Sequence, residues 1–289
     1  MNFLPNILGD GIVDQVLQAM AVMLFLYVFL AVLNNFGILY LTWLEMSTTL
    51  QPNTTNVTDT FSQEPNIDTS KTCFPSRNEV NGTEFTYSIF LNFTANSFSN
   101  DPNRLRHIFH KGSPPPDGYP LISPGVFCHA DQNTLRVMMG SSDRWDNFVD
   151  IPNIPVGKWF HLVITCKGRS IDVYINGNVI QRLTLGSVPK LNFGDVYLLQ
   201  NISNGDTRVN IAPEHQFNVI GAANCSISRF LYFAYSLSYA EIDQLYRRVL
   251  LQRLSVQATR SRLTWRMPGG CSLSIRVSNQ KIINQLLLI

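Results

Sequence analysis

The chain has 289 residues, of which 45% are apolar and 15% are charged. This length suits one large domain or two small ones, and the apolar content excludes a disordered chain. The small net charge of +2 hides an uneven distribution: 14 basic and 20 acidic residues lie up to Asp243, and eight basic and no acidic residues follow it. Net charges of −6 and +8 on the two parts predict segments with different partners.

An uncharged stretch covers residues 15–44 and contains an unbroken apolar run over 19–33. About 20 such residues cross the roughly 30 Å hydrocarbon core of a bilayer as a helix. Asp10 and Asp14 precede the run in place of Lys or Arg, and no small-x-small site follows it, which is unlike a cleaved signal peptide. We therefore expect a short segment over 1–14, followed by a single transmembrane helix with the lipid bilayer as its partner.

The orientation of this helix depends on candidate glycosylation sites, because residues 1–70 contain no Lys or Arg for the positive-inside rule. All Asn-x-Ser/Thr sequons lie on its C-terminal side. They favour a single-pass membrane protein whose C-terminal domain faces the extracellular, luminal or virion-capsid side, although chance alone yields roughly half as many sequons. The six asparagines are Asn53, Asn56, Asn81, Asn92, Asn201 and Asn224.

Residues 45–80 are rich in Asn, Thr, Ser and Pro and have no apolar period. Such a composition is typical of a linker with little structure of its own.

The next part of the chain, residues 81–249, has the pattern of an antiparallel β-sheet. Two β-branched runs joined by Asn176 and Gly177 predict a hairpin with a type I′ turn. Further strands are predicted over Phe85–Phe93, Gly125–His129, Trp159–Cys166, Asp195–Leu199, Phe217–Gly221 and Ser226–Ala234.

One helix is predicted after these strands. Ser238 and Glu241 have the spacing of a capping box, and Ile242, Leu245 and Tyr246 recur at helical intervals. One face of this amphipathic helix is expected to pack on the sheet.

Three stretches resemble the laminin G-like domains of the concanavalin A-like superfamily. They are Phe85–Phe93 with the Lys-Gly pair that ends at Gly112, the Trp-x-His strand 159–165 with its hairpin, and the Leu-Ser-x-x-Glu-Ile-x-x-Leu-Tyr run over 237–246. The resemblance implies an all-β jelly-roll sandwich with one short C-terminal helix. It also implies binding of glycans, proteins or lipids, while some relatives hydrolyse polysaccharides.

A local acidic group surrounds Trp145 and consists of Asp143, Asp146 and Asp150. An aromatic ring among carboxylates suits a carbohydrate platform, and the same oxygens are the one candidate for calcium. The alternative is a solvated loop with Trp145 partly tucked onto the sandwich. No other cofactor is expected, and hydrolysis is the least favoured function because the Glu-x-Asp-x-x-Glu motif of related glycosidases is absent.

The histidines do not support a metal site or a catalytic site. His107 and His110 are three residues apart, but no Glu or Cys completes a zinc set. The position of His161 in the resembled strand favours a structural role.

The five cysteines, Cys73, Cys128, Cys166, Cys225 and Cys271, all follow the predicted membrane helix. The expected disulfides are Cys128–Cys166 and Cys73–Cys225, which leaves Cys271 unpaired. The alternative is that all five remain reduced as small apolar residues.

The tail over residues 250–289 is basic and interleaved with apolar residues, and its alternation over 272–277 predicts a strand. It suits docking on an acidic partner or a membrane surface by addition of a strand, and it lacks the features of specific nucleic-acid binding. The residues expected to dock are Arg260, Arg262, Trp265, Arg266 and Arg276.

Two functions follow. The favoured one is a non-enzymatic, membrane-anchored structural protein held among other subunits. Laminin G-like domains on single membrane anchors are also found among structural proteins of large DNA viruses, so the resemblance implies a minor capsid protein of such a virus. The alternative is a surface lectin-like protein that binds glycan through loops of the sandwich.

Overall fold

The chain forms two compact units, Met1–Ser47 and Thr48–Ile289. In the first helix, side chains are described for residues 15–29. The computed structural model describes residues 12–35, 47–75, 83–113, 121–206, 208, 210–247, 264–266 and 272–274.

Helix α1 spans Ile12–Asn35. Its sequence is dominated by Leu, Met, Ala and Val, and it contains no charged residue after Asp14. The prediction of a helix is confirmed as far as Asn35, and residues 36–44 lie outside the described part. Its predicted transmembrane character is not confirmed, because no helix among the described residues is both long and apolar enough to cross a bilayer.

The second unit contains two large β-sheets and a separate strand pair. Sheet A has the strand order β1-β14-β3-β8-β9-β10, and sheet B has the order β12-β13-β4-β5-β6-β7, with β2 and β11 added beside β4. Strands β15 and β16 form the separate pair. The strands are β1 (Ser47–Gln51), β2 (Asp59–Phe61), β3 (Glu84–Phe93), β4 (Leu105–Ser113), β5 (Leu121–His129), β6 (Leu135–Met139), β7 (Asn147–Ile151), β8 (Trp159–Lys167), β9 (Ser170–Ile175), β10 (Asn178–Thr184), β11 (Val196–Leu198), β12 (Ser203–Asn204), β13 (Val219–Ala222), β14 (Cys225–Phe233), β15 (Thr264–Arg266) and β16 (Ser272–Ser274).

The core lies between sheets A and B. Tyr87 of β3 packs on Phe109 of β4, with ring centroids 5.6 Å apart, and Phe230 of β14 packs on both rings. Each such aromatic pair contributes about 0.5–1.5 kcal/mol beyond the burial of its area. Since side chains alternate along a strand, these contacts define the inner face of each sheet. The predicted antiparallel jelly-roll sandwich is confirmed.

The predicted hairpin is confirmed by β9 and β10. Asn176 and Gly177 have φ values of 52° and 83°, which are the positive angles that a type I′ turn requires.

The predicted helix is also confirmed, and this helix α2 covers residues 239–247. Its capping box is formed: the Ser238 backbone N–H donates to Glu241 Oε2 at 2.7 Å, and the Glu241 N–H donates to Ser238 Oγ at 3.4 Å. Ile242 is completely buried in a cluster with Val163 and Phe233. Helix α2 therefore covers part of the outer face of sheet A.

The predicted linker over 45–80 is wrong for residues 47–75. Strand β1 belongs to sheet A, and β2 pairs with β11. Leu50 and Phe61 are buried in the core, with exposed fractions of 0% and 4%. Isolated apolar residues within a polar segment are enough to hold it on the sandwich, which therefore begins well before residue 81.

The two predicted disulfides are not formed, and Cys73, Cys128, Cys166 and Cys225 are all buried free thiols. The strand positions beside these thiols explain the error. Cys271 lies outside the described residues.

Cys166 lies opposite Phe85 and Cys225 lies opposite Phe93 on β3. Eight residues of strand separate these two positions by about 27 Å. Cys73 packs near Tyr87, six residues or about 20 Å from the position of Cys225. Cys73 therefore does not lie near Cys225, its predicted partner, and Cys166 lies at the opposite end of β3 from Cys225.

Candidate functional site

The outer face of sheet B carries the charged and aromatic side chains of β6 and β7. Arg136 lies opposite Asp150, and Met138 lies opposite Phe148, in the antiparallel register. These four side chains share one face because they alternate with the inward-facing residues of their strands.

A groove of about 500 Å³ opens beside β7. Its walls come from segments that are distant in sequence: residues 144–148, residues 210–212 with His215, and Leu183 of β10. We call it the β7 groove, and its lining residues are Arg144, Asp146, Asn147, Phe148, Leu183, Asn210, Ile211, Ala212 and His215.

Phe148 is the aromatic wall of the β7 groove. The Arg136 guanidinium lies 3.9 Å from the centroid of its ring, and the ring of His215 meets it edge-on at 5.5 Å. Arg136 is itself fixed, because its Nε and one terminal nitrogen each donate to Asp150 at 2.7 Å, and it also donates to the Glu214 carbonyl. Phe148 is half-buried. Arg136 therefore supports the ring, and the part of the ring that stays accessible lines the groove.

Asp146 is the carboxylate that lines the groove, and two arginines hold it. Arg144 Nε donates to one oxygen at 3.2 Å, and Arg208 donates to the other at 2.5 Å. Burial raises the pKa of Asp146, but the hydrogen bonds from Arg208 and Arg144 overcome this effect and lower it. Arg208 is anchored in turn by Asp206. Asp146 is therefore an ionised acceptor with a fixed position.

Trp145 was predicted as a carbohydrate platform, and the structure places it behind the groove. Its ring meets Phe217 edge-on at 5.7 Å, and the Arg208 guanidinium lies 4.7 Å from its centroid. It packs against a buried cluster that includes Phe127 and Met138. This arrangement matches the alternative of a tryptophan tucked onto the sandwich, and Trp145 supports the loop that carries Asp146.

Asp143, Asp146 and Asp150 do not converge on one point. Asp143 accepts from the hydroxyls of Ser141 and Ser187, which lower its pKa. Burial raises the pKa of Asp150, but its hydrogen bonds to Arg136 and His129 bring it down to about 2. Among the described residues, no group of three His, Cys, Asp or Glu is placed to hold a metal ion, so the calcium candidate gains no ligand set.

His107 and His110 form a buried pair in sheet B. The Gln200 N–H donates to His107 Nδ1 at 2.9 Å, so the neutral ring carries its proton on Nε2 and donates it to His110 Nδ1 at 2.8 Å. Burial lowers the pKa of His107 well below its usual value and that of His110 to about 4. The two imidazoles are therefore neutral and structural at pH 7.

His161 also has a structural position, under α2. It bonds Ser88 Oγ at 2.8 Å and stacks between Phe90 and Tyr246. Burial lowers its pKa to about 3.

The sequon asparagines differ in accessibility. Asn53, Asn56, Asn201 and Asn224 are exposed, whereas Asn92 lies half-buried within β3. Asn81 lies outside the described residues.

Most of the tail predicted to dock also lies outside the described residues, including Arg260, Arg262 and Arg276. Trp265 and Arg266 lie in β15, which pairs with β16. The strand predicted over 272–277 is present as β16 over Ser272–Ser274. The rest of its range lies outside the described residues.

Comparisons with known proteins agree with this two-sheet fold. A laminin G family model, described as the concanavalin A-like lectin/glucanases superfamily, matches residues 66–211. The chain belongs to this superfamily. The match begins inside the segment predicted as a linker, in agreement with the structure. Among curated proteins, none matches the chain.

The solved structures that match this chain include two of the receptor- or ligand-binding domain of botulinum neurotoxin D and one of a sialidase. The receptor binding domain of botulinum neurotoxin D is 12% identical, with a TM-score of 0.44, over 71% of this chain and 44% of that one. A Trypanosoma rangeli sialidase in complex with 2,3-difluorosialic acid is 15% identical, with a TM-score of 0.42, over 69% and 27%. The ligand binding domain of botulinum neurotoxin serotype D in complex with N-acetylneuraminic acid is 14% identical, with a TM-score of 0.40, over 63% and 38%. The chain thus spans less than half the length of each.

Asp146 is the one predicted ligand-binding residue among those that line the β7 groove, and its other lining residues, including Phe148, His215 and 210–212, were not predicted. The alternation of Phe148 and Asp150 along β7 was a signal for a shared face. No local pattern indicated that residues 210–215 would fold over that face.

Proposed function

We propose that the sandwich is a carbohydrate-binding module and that the β7 groove holds the sugar. The observation that carries this proposal is the combination of the Phe148 ring with the polar side chains of Asp146, Asn147 and Arg144 in one groove. An aromatic ring packs on the C–H face of a pyranose, while carboxylate, amide and guanidinium groups bond its hydroxyls.

The size and rigidity of the groove support the same proposal. Its volume of about 500 Å³ lies within the range of about 300–1,000 Å³ that is typical of small-molecule sites. Asn147 Nδ2 donates to Ser141 Oγ at 2.7 Å and to the Arg144 carbonyl at 3.0 Å, so the loop before β7 is braced before a ligand arrives. A site fixed in advance loses less entropy on binding.

We propose binding without turnover. Glycoside hydrolysis uses two carboxyl groups about 5–10 Å apart, one of which has a raised pKa and donates a proton. Asp146 has a lowered pKa because of Arg208 and Arg144, which makes it a poor proton donor at neutral pH. Asp150, the neighbouring acid, is occupied by Arg136.

The test is a glycan array with the full chain, followed by calorimetric titration of the best ligand. Phe148→Ala is expected to weaken binding about tenfold or more, a change of about 1.4 kcal/mol. The matched control is Phe193→Ala, which removes an exposed phenylalanine from another loop and is expected to leave affinity unchanged. An array without ligands, or equal affinity in the two variants, would contradict the proposal.

A second proposal concerns attachment: α1 associates with a lipid bilayer and leaves the sandwich on the extracellular, luminal or virion-capsid side. The observation that favours it is the exposure of apolar side chains along residues 15–29, such as Met23 at 72% and Phe25 at 68%. Carbonate extraction of membranes tests association, and protease protection with deglycosylation tests the side. Release of the full chain by carbonate would contradict attachment, and a protected, unglycosylated sandwich would contradict the orientation.

We also propose that the chain is part of a larger assembly, such as a virion, and that the basic tail docks it there. Its support is the strand pairing of Trp265 with Leu273 amid a run without acidic residues. Replacing Arg260, Arg262 and Arg266 by Glu is expected to release the chain from the assembly, measured by co-sedimentation. Unchanged co-sedimentation of this variant would contradict docking by the tail.

A further inference from the structure

Two of the buried thiols lie at the same end of the sandwich, although neither predicted disulfide joins them. Cys225 begins β14 and lies opposite Phe93, the last residue of β3. The chain that continues from Phe93 reaches β5: the Ser99 N–H donates to the Ala130 carbonyl at 2.6 Å, two residues after Cys128. The segment that follows β3 therefore runs from the strand position opposite Cys225 to the residues that follow Cys128.

A second contact brings the segment before Cys225 to the same place. The Ala223 N–H donates to the His107 carbonyl at 2.8 Å. His107 follows Arg106, which is the partner of Cys128 in the pairing of β4 with β5. Cys225 is thus two residues from a backbone contact with the strand beside Cys128.

The Cys128 side chain faces the space between the sheets. Its neighbour Phe127 points to the outer face of sheet B, where its ring packs edge-on against Phe217 at 5.1 Å. Because successive side chains of a strand point to opposite faces, Cys128 points inward.

The Cys225 side chain faces the same space from sheet A. Its partner Phe93 shares a face with Tyr87, which packs on Phe109 of sheet B. Both thiols are buried, with exposed fractions of 5% for Cys225 and 2% for Cys128. Burial raises the pKa of the Cys225 thiol, and a negative charge on Cys128 would raise it further.

We infer that Cys128 and Cys225 form an intersheet disulfide when the folding chain meets a small disulfide oxidant such as oxidised glutathione. The thiolate of one cysteine attacks a sulfur of the oxidant and releases one glutathione thiolate. The second cysteine then attacks the mixed disulfide and releases the other. The protein loses two protons and two electrons, and the oxidant is reduced to two thiols.

The bridge has a physical consequence for stability. It closes a loop of almost a hundred residues between β5 and β14, and a long closed loop strongly restricts the unfolded chain. It also joins the two sheets covalently at one end of the core. We expect the oxidised full chain to unfold at a higher temperature than the reduced chain.

The test is peptide mapping of the full chain after refolding with oxidised glutathione and alkylation of the remaining thiols. The expected result is one linked peptide pair that contains Cys128 and Cys225, lighter than the two separate peptides by two hydrogen atoms, with Cys73 and Cys166 alkylated. A link between Cys128 and Cys166 or between Cys73 and Cys225, or alkylation of all four thiols, would overturn the inference.

Variants separate the bridge from general effects of oxidation. Cys128→Ala and Cys225→Ala are each expected to abolish the rise in the unfolding temperature on oxidation. The matched control, Cys166→Ala, removes an equally buried thiol from the other end of the sandwich and is expected to retain the rise. Because the mapping uses the unmodified chain, it decides the question even if a variant fails to fold.

Discussion

The two outer faces of the sandwich differ in what covers them. Part of the outer face of sheet A lies under α2, where Ile242, Val163 and Phe233 form a buried apolar cluster. The outer face of sheet B is covered by loops that carry Arg208 and His215, and these loops leave the β7 groove open. The difference follows from the side chains: apolar residues of α2 and sheet A exclude water from their contact, whereas charged and aromatic residues that hold each other in place line an open groove on sheet B.

The largest expected effect is that of acid, because both faces bury neutral histidines. The pKa of His161 beneath α2 is lowered to about 3, and that of His110 in sheet B to about 4. Unfolded histidine titrates near pH 6.5, so the unfolded chain binds more protons between these values and stability falls as the pH drops from about 6.5 to 4. The loss is roughly 3 kcal/mol per histidine at pH 4.

Urea unfolding at a series of pH values measures this loss. The window separates histidines from carboxylates such as Asp150. Its pKa is lowered to about 2 in the folded chain, so its stabilising contribution is lost only as the pH falls from about 4 to 2. A free energy of unfolding that stays constant from pH 6.5 to 4 would show that these imidazoles are not buried in their neutral form.

The next largest effect concerns the packing of α2 on the outer face of sheet A. Ile242→Ala removes a completely buried side chain from the cluster under α2 and is expected to lower the free energy of unfolding by about 2–5 kcal/mol. Tyr239→Ala on the same helix is the control, since Tyr239 is 61% exposed and its loss is expected to change stability by about 0.5 kcal/mol or less. Similar losses in the two variants, measured by chemical denaturation, would contradict the packing of α2.

A comparable test for sheet B concerns the support beneath Phe148. Arg136→Met leaves the Asp150 carboxylate without its bidentate partner and is expected to destabilise the fold by about 2–3 kcal/mol. Arg182→Met removes a bidentate partner of Asp172, but Arg182 is 64% exposed, so its loss is expected to cost about 1 kcal/mol or less. Equal losses of stability in the two variants, measured by thermal unfolding, would contradict a larger stabilising effect of the buried Arg136 pair.

The smallest effect is at the start of α2. Ser238→Ala removes the hydroxyl of the capping box and is expected to cost about 1 kcal/mol. Ser238→Asp keeps an acceptor at the cap and is expected to restore most of the loss. Unfolding curves that place the Asp variant below the Ala variant would contradict the role of the cap.

Features with a local signal could be predicted from the sequence. The Asn176-Gly177 turn and the Ser238-Glu241 capping box each specify backbone geometry within a few residues, and both are present in the structure. The pattern of alternating apolar residues likewise located most of the central strands.

Features that depend on distant contacts were missed. Leu50 and Phe61 lie in a polar segment, and only their contacts with other strands show that this segment belongs to the sandwich. The β7 groove joins Phe148 to Leu183 and His215, which are separated by dozens of residues. The thiols were paired wrongly because the strand register, which sets which residues of β3 lie opposite Cys166 and Cys225, cannot be deduced from the sequence.

The most direct test of the account is hydrogen exchange of the full chain with and without its best glycan ligand. We predict that binding slows exchange of the backbone amides over 144–148 and 210–215, the two main walls of the β7 groove, and leaves α2 unchanged. Protection confined to α2 and the outer face of sheet A would contradict the assignment of sheet B as the binding face.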